Sequence, residues 1–195
     1  MRDPESRDPE QPPIGGPALD PWLAEMLPEL LPARPLPEVG RGRLLQVARS
    51  FPFRYAPFYD QLGALWDLSE PALRAVFEAA ADAKAWQRVW PGFRFLGVGG
   101  GPKLEGARAR LLHFDAGLRF PRHRHRGAES ILVLEGSYTD SSAITVSAGD
   151  LQEMRAGSDH DLVIAPDGPC VAGLVERGLE FTSPVLKLLG RWFSL

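Results

Sequence analysis

The stretch from Gly117 to Gly136, GLRFPRHRHRGAESILVLEG, leaves the backbone around it few options. Side chains alternate faces along an extended chain, so residues two apart point the same way. In a strand, His123 and His125 therefore aim at one point, while Arg122, Arg124 and Arg126 fall on the opposite face. That division suits a strand with one face in water and one face inside a small β-barrel. Glu129 shares the odd parity of the histidines. It joins them if the strand stays regular past Gly127, or if Gly127 bends the chain suitably. A second stretch, Gly149 to Ile164 (GDLQEMRAGSDHDLVI), carries His160, so three of the four histidines lie in these two segments. Imidazole and carboxylate together suit Zn, Fe, Mn, Ni, Co or Cu, whereas Ca asks for more oxygens. Two simpler accounts compete: ordinary surface or core histidines, and a basic patch for anions or nucleic acid built from the interleaved arginines. The opposite parity of the arginines argues against the basic patch, and the scarcity of histidine elsewhere adds to the case for a metal, while the spacing taken alone leaves ordinary histidines the commoner account.

The spacing of the first stretch is G-x5-H-x-H-x3-E-x6-G, met at Gly117, His123, His125, Glu129 and Gly136. It resembles the first cupin motif at every fixed position. The second stretch resembles the second cupin motif, G-x5-P-x-G-x2-H-x3-N, at Gly149, Gly157 and His160. Arg155 stands where the motif has proline and Ile164 where it has asparagine. The resemblance implies a mainly β fold, a cupin jelly-roll β-barrel with a small N-terminal α-helical region. It also implies that His123, His125, Glu129 and His160 hold one divalent metal ion (Zn, or Fe, Mn or Ni). Ile131, Val133 and Leu162 are then the apolar wall lining the cavity. More narrowly, HRHRGAESILVLEGSYTD is similar to the cupin domain of ChrR-type anti-sigma factors, over about residues 85 to 190. In that family the cupin is the sensory half, and a zinc-binding helical half with His and Cys-x-x-Cys ligands grips a sigma factor. This chain has no histidine before His113 and one cysteine, Cys170, so a zinc-dependent anti-sigma half is absent or no longer uses zinc.

Two functions follow as expectations. The first is a metal-binding, ChrR-like regulatory or sensory protein of transcription or stress control, with a sigma factor as partner through residues 41–84. The alternative is a small non-haem, metal-dependent enzyme of the dioxygenase type. A metal-free interaction module whose histidines are relics is a third account. A homodimer fits the cupin resemblance. Net charge −3 points away from a nucleic-acid partner. A single cysteine excludes an internal disulfide and fits a reducing cytoplasm. No apolar run approaches the roughly 18 residues a membrane span needs. The charged, proline-rich start does not read as a signal peptide.

Composition divides the chain into a disordered tail over 1–20, a helical region over 21–84 and a cupin domain over 85–195. Asp20 and Pro21 suit the start of a short helix carrying Trp22, Leu23 and Met26, and PARPLP at 32–37 reads as an extended linker. Helix is expected over 41–68, opened by Leu44, Leu45, Val47 and Ala48 and interrupted by SFPF at 50–53. Phe58, Leu62, Leu65 and Trp66 continue it at helical spacing. Ser69 caps the next helix, which has Leu73, Val76, Phe77 and Ala80 on one face and ends near Ala83. This pair reads as a brace on the barrel more readily than as a partner-binding module. Strands are expected at Phe93–Val98, at Ala107–Phe114 with Arg108 and Arg110 outward, and at 129–134. That last strand is apolar on both faces and needs a cover from the helices or a second subunit. Further strands are expected at 137–139, 143–146, 151–154, 160–165, 170–176 and 181–188, with Cys170 a small buried residue.

Overall fold

The computed structural model describes Arg43 and residues 51–182. The expectations for the 1–20 tail, the Asp20 helix, the 32–37 linker, the opening of the 41–68 helix and the end of the 181–188 strand lie outside these residues. Helix α1 is Phe51–Arg54, α2 is Tyr59–Trp66 and α3 is Glu70–Ala80. The strands are β1 (Gln87–Trp90), β2 (Phe93–Val98), β3 (Arg108–Phe114), β4 (Arg119–His125), β5 (Glu129–Glu135) and β6 (Ser137–Asp140). They continue with β7 (Thr145–Ser147), β8 (Leu151–Met154), β9 (Asp159–Ile164), β10 (Cys170–Glu176) and β11 (Leu179–Phe181).

These strands form two antiparallel sheets, in the orders β1-β2-β3-β10-β5-β8 and β11-β4-β9-β6-β7. Both contribute to one inner core that includes Phe93, Phe114, Phe120, Val133, Tyr138 and Ile164. The fold is a mainly β jelly roll of the cupin kind. Its described ladders make two sheets rather than one closed ring. No helix among the described residues is long and apolar enough to cross a membrane.

The outer face of the six-stranded sheet is covered by the helices of the same chain. Leu96, Leu111, Leu132, Leu134 and Val171 meet Leu62, Trp66, Leu73 and Phe77 in a second core. The alternation in β5 is the one its sequence requires: Ile131 and Val133 face inward, Leu132 and Leu134 face the helices. With that face covered, the doubly apolar strand no longer argues for a dimer. The fit depends on Gly173 in β10. A Cβ there would lie 2.7 Å from a Leu62 methyl and 3.0 Å from the Trp66 ring. The close approach lets the Trp66 indole N–H donate to the Leu174 carbonyl at 3.1 Å. In α3, Leu73, Phe77 and Ala80 lie on one face and are buried, with Ser69 extended at the N-cap and Pro71 in the first turn.

Two local expectations are corrected. Part of the SFPF segment does not break the helix: Phe51–Arg54 is itself a helical turn, joined to α2 through a 3-10 turn at Ala56–Phe58. Helix α3 stops at Ala80 rather than Ala83, where a separate 3-10 turn, Ala83–Ala85, begins after Asp82 accepts a bond from the Lys84 amide at 2.9 Å.

Candidate metal centre

Strand β4 carries the centre. From Arg122 onward the alternation is strict: Arg122 and Arg124 are exposed, while His123 and His125 are 2 % and 1 % exposed. Phe120 also points inward, although its parity is even. An irregularity in the pairing with β9 between Phe120 and His123 resets the phase, beside Pro121, which has no N–H for the ladder. The Pro121 carbonyl lies 3.0 Å from His123 Nδ1 and can only accept, so Nδ1 carries the proton and Nε2 presents its lone pair. His123 and His160 are direct partners across β4 and β9, and their Nε2 atoms are 3.0 Å apart.

The chain does not continue as one strand to Glu129. It leaves the five-stranded sheet after His125 and enters the six-stranded sheet at Glu129, so of the two routes open to Glu129 the bend at Gly127 is the one taken. A Cβ on Gly127 would lie 2.4 Å from the Arg177 Cβ, which explains glycine at the crossing. The loop before His160 is tied to the same place. The Gly157 amide donates to the His125 carbonyl at 2.8 Å, and the His125 amide donates to Ser158 at 2.9 Å. Arg155 replaces the motif proline without loosening this turn, because its carbonyl accepts from both the Ser158 amide and hydroxyl. Ile164, in place of the motif asparagine, is buried in the inner core beside Tyr138.

His123, His125, Glu129 and His160 are all buried, and one ligand-capable atom from each lies within 4.8 Å of the others. His125 Nδ1 and Glu129 Oε2 are 3.3 Å apart without the alignment of a hydrogen bond. Both ring nitrogens of His125 and Nδ1 of His160 are buried without a partner. Leaving a buried polar atom unsatisfied costs about 1–3 kcal/mol. With one ligand-capable atom from each of the three rings gathered beside the Glu129 carboxylate, the four residues form a cluster that can hold a metal ion. Burial lowers the pKa of His123 to about 4 and pushes His160 down as well, so both imidazoles stay neutral, the form that ligates.

A cavity of about 50 Å³ adjoins His123 and Glu129, with Ile131 and Leu162 in its wall. Val133, expected in that wall, is not there. It pairs with Ala172, one inward-facing row farther from Glu129 than Ile131, and is packed in the core. The larger correction concerns β3. Arg108 and Arg110 share the face of Leu112 and Phe114, which is the inner one. Leu111 and Leu112 are apolar on both faces, so alternation alone leaves the direction of β3 undecided. Glu176, 3 % exposed, decides it: Arg110 donates to it at 3.1 Å, Arg108 lies 3.3 Å away, and the Gly178 amide also donates to it. Glu176 was legible in CVAGLVE, since it shares the parity of Cys170, Ala172 and Leu174.

The other candidates lie elsewhere. His113 faces the helices, edge-on to Trp86 at 6.1 Å, with Asp115 at 3.6 Å. Asp159 points out to Arg122 at 2.5 Å. Burial pushes the Cys170 thiol up to about 12, so it remains protonated.

The family described as the ChrR cupin-like domain matches residues 75–177, just over half of the chain. The chain belongs to this family. The anti-sigma-E factor ChrR of Cereibacter sphaeroides is 32% identical over 88 residues, covering 45% of this chain and 41% of that protein. The chain thus matches less than half the length of that relative. Among solved structures, the complex of Rhodobacter sphaeroides SigE with the anti-sigma ChrR matches with 27% identity and a TM-score of 0.44, over 50% of this chain and 52% of that one. An RmlC-like cupin protein from Ralstonia eutropha JMP134 matches with 19% identity and a TM-score of 0.47, over 57% and 82%. Both scores lie below 0.5, so membership rests on the family match.

Proposed function

We propose that the chain is a metal-binding regulatory protein in which His123, His125, Glu129 and His160 hold one divalent ion and the cupin domain, residues 85–195, is the sensory part. The observation that carries this is the convergence of one ligand-capable atom from each of three histidines and a carboxylate in a buried cluster. The ion, when bound, supplies a Lewis-acid centre joining the two sheets. His123 is oriented for it by Pro121, His125 and His160 by the strand-to-loop bonds around Gly157, and Glu129 by the Gly127 crossing. Ile131 and Leu162 keep water away from it.

A sigma factor is the proposed partner, through residues 41–84 and in the cytoplasm, on the strength of kinship with ChrR. The zinc ligands expected of a ChrR-type N-terminal half are missing from that region of the sequence, so the grip would use other side chains. The dioxygenase reading has less support. Small-molecule pockets usually measure about 300–1,000 Å³, against about 50 Å³ beside this cluster.

The test is elemental analysis of the chain, purified without added metal or a histidine tag, beside a His123→Ala/His125→Ala variant. Roughly one equivalent of Zn, Fe, Mn or Ni in the parent, lost in the variant, is expected for a four-ligand site. No metal in either would sink the reading. Capture of a sigma factor by the full chain tests the partner, and failure to capture any removes it.

A further inference from the structure

The four candidate ligands are between 1 % and 6 % exposed, so an ion reaches them only when something moves. The cavity of about 50 Å³ touches His123 and Glu129. A much larger groove, about 790 Å³, follows the end of β2, the loop after it and the start of β3, past Gly97, Leu104 and Arg108. Two residues line both spaces, Phe95 and Arg110. They form one wall: the Arg110 guanidinium lies 4.7 Å from the centre of the Phe95 ring and donates to the Glu176 carboxylate at 3.1 Å. The two halves of this wall differ in kind. Phe95 is a rigid ring in the inner core, packed beside Phe93. Arg110 carries its charge on a long stem and can turn its head toward the groove and the water there. Its departure does not strand the buried Glu176, because Arg108 stays 3.3 Å from that carboxylate.

We propose that the groove is the entrance to the metal centre and that Arg110 is its gate. The inference rests on the metal reading above. Held against Phe95 and Glu176, Arg110 closes the passage; turned into the groove, it joins the groove to the cavity. Arg110 is not one of the four ligands, so the gate sets how fast an ion comes and goes. Opening it lowers the barrier in both directions alike. A small molecule sensed at the loaded centre takes the same path. Gly97 keeps that path wide. It stands directly across from Arg110 in the pairing of β2 with β3, and a Cβ there would meet no atom within 4 Å. A larger side chain at this position therefore fits the strand while filling the groove beside the gate.

The test follows Co2+ entering and leaving the full chain. Its visible bands report uptake by metal-free protein and release to an excess of chelator. Arg110→Ala opens the gate and should speed both uptake and release about tenfold. The two rates separate gating from other effects. Loss of the Arg110 charge alone would speed entry of a cation and slow its release. Loosened ligands would speed release and leave uptake unchanged. Gly97→Leu alters no charge and should slow both rates several-fold. Release from Arg110→Ala no faster than from the parent overturns the proposal, as do parental rates in Gly97→Leu. If Arg110→Ala fails to fold, Gly97→Leu decides alone. Failure of the parent to take up Co2+ brings down the metal reading, and this proposal with it.

Discussion

The two faces of the six-stranded sheet are built on different terms. The outer face is largely apolar, and most polar groups around it are served: Trp66 donates to the Leu174 carbonyl and the Tyr55 hydroxyl to Glu135 at 2.7 Å, while His113 Nδ1 is left without a partner. The inner face mixes Ile131 and Leu174 with Glu129, Arg110 and Glu176, and meets histidines whose nitrogens lack partners. One face is arranged for stability. The other accepts unsatisfied groups and buried charge, as a binding site does.

Substitutions on the two faces should therefore separate. The largest effect is expected in the His123→Ala/His125→Ala variant, whose bound metal should fall from about one equivalent to background while the outer core stays intact. Retained metal would erase the functional contrast. Trp66→Ala empties the outer core and should lose about 3–5 kcal/mol in urea unfolding, with the metal-to-protein ratio unchanged. Loss of metal in parallel would mean that the two faces are one unit. Chelation should destabilise the parent by about 3–4 kcal/mol if free metal had stood at several hundred times its dissociation constant. The histidine variant should not respond, and an equal response in both would point to metal bound elsewhere.

Gly136 sharpens the comparison from outside both faces. Its φ is +70°, and an added Cβ would stand 2.2 Å from the Pro169 carbonyl oxygen. Gly136→Ala should lose about 1–3 kcal/mol in denaturant titration. The most gradual effect is with pH. His123 is neutral in the metal-free fold, its pKa lowered from 6.5 to about 4 by burial. Between these values the unfolded chain binds the extra proton, so stability falls as pH drops through this window, by at most about 1.4 kcal/mol per pH unit for one proton. Above the window His123 contributes no slope. A flat profile between pH 4 and 6.5 would place His123 in water.

Much of the site was readable because strands alternate. His123 and His125 against Arg122 and Arg124 need only that rule, and so do the two apolar faces of β5. Alternation failed where both parities were apolar or the phase slipped. The ARARLLHF run of β3 gave no preferred face, and Arg108 and Arg110 were turned the wrong way until Glu176 was placed opposite them. The pairing irregularity beside Pro121 brings Phe120 inward against parity.

The motif spacing by itself determined the cupin fold and named the four candidate ligands, because fixed intervals between glycines, histidines and a glutamate encode turns and facing directions. Tertiary structure alone decided that the ligands come from two sheets, that the helices rather than a partner cover β5, and that Arg110 and Glu176 stand beside the cluster. Those facts depend on which strands become neighbours, and pairing between segments distant in the chain is set by the joint burial of both sheets rather than by any local pattern.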